Sequence, residues 1–258
     1  MGRLFRPFLD QPDTAAVLSD FDGTLSAIVD DPTAARPLPG ALAALAALAA
    51  RVRMVGVISG RPVAFLLSQL GSVPGLHLVG LYGLERAIDG QLHTHPGGPA
   101  WIAALDEVAA AAEAGAPAGV VVERKGLAVT VHVRTAPEHE GWAVRFGADQ
   151  AIRHGLEAHP GRRSVELRPP IPVDKGTVVA ELAGACRAVC YCGDDWGDLP
   201  AFAVLDRLRA EGRSTVAAAA RSSESPPELL AAADVVAEGP EGIVELLEML
   251  GRGKELSA

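Results

Sequence analysis

The stretch Ala15-Ala16-Val17-Leu18-Ser19-Asp20-Phe21-Asp22-Gly23-Thr24 decides how this chain is read. The apolar run Ala15 to Leu18 has the character of a strand buried in a parallel sheet. A strand that ends in Asp-x-Asp sets both acids at a carboxyl tip, where open α/β sheets bind their ligands. Side chains at i and i+2 of an extended segment point the same way, so one pocket can receive Asp20 and Asp22 together. Gly23 then lets the backbone turn sharply beside them. One carboxylate can attack phosphorus and form an aspartyl-phosphate, while the other passes a proton to the leaving oxygen and later takes one from water. The same letters also fit a solvated Asp-rich turn that caps a helix.

At 258 residues the chain holds one large domain or a domain with an inserted subdomain. With 49% apolar and 21% charged residues it builds a core without disulfides or metals. A formal net charge of −9 argues against general affinity for nucleic acid or anionic membrane, which need a basic surface. A local cluster of Lys and Arg can still bind an anion. Cys186, Cys190 and Cys192 are odd in number and crowded into one short segment, which predicts buried free thiols. Met1 to Asp10 lacks the apolar core of a secretory leader, and no stretch is long and apolar enough to span a bilayer. These features predict a soluble, cytoplasmic protein.

Outward from the first strand, elements alternate in the βαβ manner as far as Leu84. A helix carries Leu42, Leu45 and Leu48, and a second strand runs from Val52 to Ile58 and ends at Ser59-Gly60-Arg61. Pro62 opens a helix with Phe65, Leu66 and Leu70, Leu76 to Leu81 is a third strand, and a hairpin is expected at Asp89-Gly90. After His95-Pro96-Gly97-Gly98-Pro99 the texture changes. A helix over Trp101–Ala114 leads into strands Val120–Glu123 and Leu127–Arg134, a helix over Trp142–Leu156 and a strand over Ser164–Arg168. In these strands apolar and polar residues alternate, so one face is buried and the other polar. We read 98–170 as an inserted unit, with 1–97 and 171–258 forming the surrounding domain. Asp174-Lys175-Gly176 opens the next helix, and the apolar strand Ala188–Cys192 ends at Gly193-Asp194-Asp195. Further strands at Ser214–Ala219 and Asp234–Val236 and a helix over Ile243–Leu250 complete the pattern.

Four polar groups thus stand in order at element tips: Asp20-x-Asp22, Ser59, Lys175, and Asp194-Asp195 with Asp198 one helical turn on. Phosphoryl transfer needs such a set, because a dianion must be neutralised, a metal needs hard oxygen ligands and a nucleophile must stand in line. Asp20 and Asp194, with Asp195 as a further candidate, can hold Mg²⁺. Lys175 supplies a point charge. Ser59 and the Gly60 N–H can donate to a phosphoryl oxygen at a helix start.

Here the chain resembles the haloacid dehalogenase superfamily of phosphatases. The resemblance rests on Asp20-Phe21-Asp22-Gly23-Thr24-Leu25, Ser59, Lys175 and Gly193-Asp194-Asp195 with Asp198. It implies a Rossmann-like parallel-sheet α/β core with an inserted, smaller α+β cap of type C2. It also implies Asp20 as nucleophile, Asp22 as general acid and base, an obligatory Mg²⁺ and the main-chain carbonyl of Asp22 as a metal ligand. Within the superfamily the chain is most similar to the trehalose-6-phosphate phosphatase family. The carriers are DFDGTLSAI from Asp20, ISGRP from Ile58, GLYGLE from Gly80, and VERK from Val122. Val131-His132-Val133-Arg134, Val165-Glu166-Leu167-Arg168-Pro169 and Asp174-Lys175-Gly176 continue the match. The resemblance implies that Glu123, Lys125, His132 and Glu166 face a sugar, with Arg61 nearby, and that the partner is a small sugar phosphate; a monomer is expected. On the residues alone, Glu123 with Lys125, and Glu166 with Arg168, also fit solvated ion pairs, and His132 fits simple exposure. Sucrose phosphate or a glycosyl phosphoglycerate as substrate, and an idle sugar-phosphate-binding module, are the alternatives. The chain departs from the family pattern with Gly197 and Leu199 where Thr and Glu are usual, and with Tyr82 where His is common. Trp196, beside the acids expected to hold the metal, is expected to pack, with shaping of the pocket mouth as the alternative.

Overall fold

Strand β1 (Ala15–Ser19) is buried along its whole length and feeds two cores at once. Ala15 and Val17 join one apolar cluster, Ala16 and Leu18 the other, because successive side chains leave a strand on opposite faces. The computed structural model describes residues 2–253 apart from Asp30, Ser72, Asp89 and Arg162. Asp89 of the expected Asp89-Gly90 turn therefore lies outside the described residues, and Gly90 has φ 75°.

The larger unit comprises Met1–His93 and Val173–Ala258. Beside β1 it contains β2 (Met54–Ile58), β3 (His77–Gly80), β4 (Glu85–Ile88) and β5 (Gln91–Thr94). After the inserted unit come β10 (Ala188–Gly193), β11 (Ser214–Arg221) and β12 (Val235–Glu238). The sheet order is β12-β11-β10-β1-β2-β3-β4-β5, parallel from β12 to β3. The chain builds outward from β1 in one direction and from β10 in the other, so the topological switch point lies between these two strands. That is where an open α/β sheet receives its ligand. One face is covered by α1 (Gly2–Asp10), α2 (Ala41–Ala49), α3 (Val63–Leu70) and α9 (Gly239–Arg252), whose Phe5, Leu45, Leu66 and Leu247 join Val17 and Val57. The other face is covered by α6 (Lys175–Ala183), α7 (Leu199–Ala210) and α8 (Pro227–Ala232), with Val179, Phe202, Leu205 and Leu229 around Leu18 and Tyr191. Sequence patterning did not disclose α1 or α8. In α1 the buried Phe5 and Phe8 are three apart, and Pro7 stands inside the helix and masks its period. All three cysteines are free and buried.

The smaller unit is Thr94–Pro172, a few residues wider than expected. Its ends hydrogen-bond locally, Gly98 N–H to His95 O at 2.8 Å and Ile171 N–H to Pro169 O at 2.8 Å. It contains α4 (Ile102–Gly115), β6 (Val121–Arg124), β7 (Val129–His132), α5 (Glu140–His154), β8 (Glu157–Gly161) and β9 (Ser164–Arg168). The antiparallel sheet has the order β6-β7-β9-β8. Val129, Val131, Val165 and Leu167 bury one face with Leu105, Val108 and Ala143 from the helices. The expected helix over Trp142–Leu156 ends at His154, because Gly155 takes a left-handed conformation (φ 68°) and caps it. Strand β8 is a correction to the sequence reading: Glu157-Ala158-His159-Pro160-Gly161 has no apolar alternation. It is an edge strand, the one place in a sheet that tolerates Pro160. Among the described residues no helix is long and apolar enough to cross a membrane.

Candidate active site

The tips of β1 and β10 lie side by side, and the Asp20 N–H donates to Cys192 O at 2.8 Å to continue their ladder. Asp20 and Asp194 therefore leave the sheet at the same level. Gly23 holds φ +78°, and a methyl group there would fall 2.2 Å from Asp194 Oδ2, so the turn after Asp22 has room for glycine alone. Thr24 Oγ1 donates to Asp194 Oδ1 at 3.2 Å. Lys175 occupies the first turn of α6, whose start is fixed by a capping box between Asp174 and Thr177. Its ammonium is buried, 3.0 Å from Asp20 Oδ1 and 2.7 Å from Asp198 Oδ1.

Asp198 is the centre of this arrangement. Its Oδ1 accepts from Lys175 Nζ and from Tyr191 Oη at 2.6 Å. Its Oδ2 accepts from the N–H groups of Asp194 at 2.9 Å and Asp195 at 3.1 Å. One fully buried carboxylate thus fixes the lysine and the backbone of the Asp194–Asp195 loop. Burial alone would raise Asp198, but the Lys175 ammonium and the hydrogen bonds from Lys175, Tyr191 and the Asp195 N–H hold it below the usual carboxylate range. Burial would lower Lys175, yet Asp198 and Asp20 keep it well above the ordinary lysine value. Asp20 moves the other way: burial, with Asp198, Asp194 and Asp195 adding to it, holds it well above its usual value against the pull of Lys175.

Three buried carboxylates, Asp20, Asp194 and Asp198, bring ligand atoms within 4.8 Å of one another. The Lys175 ammonium is the positive charge set among them, 3.0 Å from Asp20 and 2.7 Å from Asp198. The donors are hard oxygens, the set that Mg²⁺ prefers. The acids that converge differ from those expected. Asp195, expected as a ligand, lies outside that trio; its Oδ1 accepts from the Gly197 N–H at 2.8 Å and caps the short 3₁₀ turn Trp196–Asp198. Within that trio both oxygens of Asp198 accept hydrogen bonds, from Lys175 and Tyr191 on one side and from the Asp194 and Asp195 N–H groups on the other.

Ser59 follows β2 and is buried, its N–H donating to Val79 O at 2.9 Å and its Oγ accepting from the Arg61 N–H at 3.2 Å. Asp22 has Arg61 as a bidentate partner, with Nε and Nη2 each 2.7 Å from a carboxylate oxygen. Arg61 lies over the Phe65 ring at 4.7 Å, and Phe65 meets Phe21 edge to face. This pairing has no local signature, because the partners are 39 residues apart and the resemblance places Arg61 near a sugar. Trp196, expected to pack, is 57% exposed.

In the smaller unit the structure brings Glu123, Lys125, His132 and Glu166 into one cluster. Glu123, Thr130, Glu166 and His159 stand in register across β6, β7, β9 and β8, on the sheet face away from α4 and α5. Lys125 Nζ lies 2.9 Å from Glu166 Oε2 and 3.7 Å from Glu123 Oε2. His132 Nε2 lies 2.8 Å from Glu123 Oε2, and Arg168 Nε 3.6 Å from Glu166 Oε1. Thr130 donates to Glu166 Oε2 at 2.9 Å, a member the sequence reading missed although its parity with His132 was visible. Burial, then Arg168, lower His159 and favour its neutral form.

Paired acids at a switch point, a buried lysine and a serine at the neighbouring tip define a phosphotransfer core of the haloacid dehalogenase type. The family model described as Trehalose-phosphatase matches residues 18–234. The chain belongs to the trehalose-phosphatase family. A trehalose-phosphate phosphatase of Mycobacterium avium is 39% identical over 251 residues, which cover 93% of this chain and 63% of the relative, so the chain spans less than two thirds of that relative's length. Among solved structures, the C-terminal domain of the C. albicans trehalose-6-phosphate phosphatase superposes with TM-score 0.79 at 22% identity, covering 97% of this chain and 96% of that one. The Aspergillus fumigatus trehalose-6-phosphate phosphatase superposes with TM-score 0.66 at 26% identity, covering 98% and 97%.

Proposed function

We propose that the chain is a Mg²⁺-dependent phosphatase that hydrolyses trehalose 6-phosphate to trehalose and phosphate through an aspartyl-phosphate on Asp20. The observation that carries this reading is the buried Asp20–Lys175–Asp198 array beside Asp194, a set of charges whose burial costs stability and whose value is chemical. Family membership supports the substrate.

In the proposed reaction Asp20 attacks phosphorus and the sugar 6-oxygen leaves with a proton from Asp22. Asp22 then removes a proton from water, which attacks phospho-Asp20 and releases phosphate. Lys175 stabilises Asp20 as the carboxylate and meets the phosphoryl oxygens, while Ser59 Oγ and the Gly60 N–H donate to a third. Asp20 and Asp194, with the Asp22 carbonyl, would hold Mg²⁺, which supplies Lewis-acid neutralisation of the dianion. Because Asp22 must carry a proton to the leaving group, its bidentate contact with Arg61 must open first, and Arg61 becomes available to the substrate. The smaller unit is proposed as a type C2 cap. Its Glu123, Lys125, His132 and Glu166 offer acceptors and donors that suit a disaccharide's hydroxyls.

The test is phosphate release from trehalose 6-phosphate, sucrose 6-phosphate, glucose 6-phosphate and a glycosyl phosphoglycerate, with and without Mg²⁺, beside Asp20→Asn. Selective Mg²⁺-dependent release from trehalose 6-phosphate, abolished in D20N, is expected. Preference for another ester overturns the substrate, and equal rates in D20N overturn the nucleophile.

A further inference from the structure

The turn Gly80–Glu85 is fastened to the loop after β2. The Leu81 N–H donates to Arg61 O at 3.0 Å and the Tyr82 N–H to Ser59 O at 3.0 Å. Glu85, buried, accepts from the Val63 N–H at 2.8 Å and so caps α3 from the same turn. A methyl at Gly80 would come within 2.6 Å of both Arg61 O and Val63 N, so the two segments touch backbone to backbone. Leu81 and Tyr82 are both held at positive φ, 47° and 59°, which residues with large side chains adopt only under constraint.

The constraint aims the Tyr82 ring into a narrow gap. A methyl on Gly60 would lie 2.6 Å from Tyr82 Oη and 2.7 Å from Cζ. A methyl on Gly197 would lie 3.6 Å from Tyr82 Cε1 and 3.9 Å from Lys175 Cε. The ring therefore occupies the side-chain space of Gly60 on one side and touches that of Gly197 on the other. Tyr82 and Gly197, far apart in sequence, meet in space.

We propose that Tyr82 is a positioning residue for the phosphoryl group: its ring, wedged between Gly60 and Gly197, sets the distance between the Ser59–Gly60 donors and the Asp194–Gly197 loop with Lys175. The ligand positioned is a tetrahedral oxyanion, and the inference rests on the phosphatase reading above. A shift of about 1 Å between donor and nucleophile lowers a rate by as much as about a hundredfold.

The experiment compares Tyr82→Phe, Tyr82→Ala, Gly60→Ala and the double variant G60A/Y82A. It measures kcat and KM on the sugar phosphate that the wild type prefers, inorganic phosphate binding by calorimetry with Mg²⁺, and the melting temperature. Y82F keeps the wedge and stays within about twofold. Y82A lowers kcat by about ten- to a hundredfold, with a smaller change in KM, and weakens inorganic phosphate. G60A is as damaging alone but adds less than about twofold to Y82A, since the atoms it collides with are gone. If Y82A does not fold, Tyr82→Leu carries the same measurements. Wild-type kcat and phosphate affinity in Y82A, or G60A and Y82A effects that multiply, overturn the inference and leave the phosphatase reading intact. The phosphate titration needs no turnover, so weakened binding in Y82A beside a wild type that hydrolyses no ester would sink the phosphatase reading alone.

Discussion

Replacing Asp198 with Asn tests whether the site is held by one buried carboxylate. The amide puts an NH₂ where one oxygen was. Placed at Oδ2, it would face the fixed N–H groups of Asp194 and Asp195, and both would lose their acceptor. Placed at Oδ1, it faces Lys175 and Tyr191; the phenol can turn to accept, but the ammonium loses a partner at 2.7 Å and keeps only Asp20. The second arrangement is the cheaper one. It still removes a charge-assisted hydrogen bond and leaves a buried lysine half-compensated, a change that costs about 3–5 kcal/mol. For a chain of this size that lowers the melting temperature of the larger unit by about 6–20 °C. Tyr191→Phe calibrates the figure, because it deletes one donor to the same oxygen and costs about 1–3 kcal/mol. The assay is calorimetric unfolding at neutral pH without added metal. The pH dependence follows in sign. Asp198 lies below its unfolded value, so its contribution is full above the ordinary carboxylate range and is lost as pH falls through the depressed folded value. D198N should flatten that acid limb. A D198N melting temperature within about 2 °C of wild type, or a Y191F cost equal to that of D198N, would refute the reasoning.

Three further outcomes follow from the same geometry. Mg²⁺ at a hundredfold excess over its dissociation constant should add about 2.7 kcal/mol of stability, read as a rise of about 5–10 °C, and Asp194→Asn should remove most of it; an equal rise in the variant would place the ion elsewhere. Gly23→Ala meets both a φ of +78° and an atom 2.2 Å away, so the turn and Asp194 must shift; turnover should fall by at least about tenfold, and a wild-type rate would contradict the close approach. Glu166→Gln withdraws the charge that holds Lys125 and accepts from Thr130. It should raise KM for the sugar phosphate with little change in inorganic phosphate inhibition, whereas a parallel change in both would move Glu166 out of the sugar's reach.

Much of this was readable from sequence for a topological reason. In a parallel sheet every strand delivers its last residues to the same edge, so polar residues after apolar runs must converge there even when far apart in the chain. Asp20, Ser59 and Asp194 are legible in this way, Lys175 is legible from the Asp174-Lys175-Gly176 helix start, and alternation in β6, β7 and β9 sets Glu123, His132 and Glu166 on the polar face. What escaped has no local signature. Asp198 is legible as a member of the Gly193-Asp194-Asp195 motif, but its central place is not, because its partners Lys175 and Tyr191 come from two other elements. Tyr191, a phenol in an otherwise apolar strand, was the available signal, since a buried hydroxyl needs a partner. The Arg61–Asp22 pair escaped because an arginine after a strand tip suits a phosphate and a carboxylate equally. Edge strand β8 escaped because pairing with β9, not its own composition, makes it a strand.

The altered fourth motif now bears on whether the site is idle. Gly197 and Leu199 stand where the resemblance leads one to expect Thr and Glu, yet the loop's amides have acceptors: Asp198 takes those of Asp194 and Asp195, and Asp195 takes that of Gly197. The loop is held by acids that remain, and the room left by Gly197 lies against Tyr82. A buried ammonium among three buried carboxylates is costly, and packed apolar residues of similar volume would serve stability as well or better. A module that only bound sugar phosphate could meet its anion with Ser59, Arg61 and a helix start. It would have no use for a buried lysine clamped between two buried carboxylates, Asp20 at 3.0 Å and Asp198 at 2.7 Å.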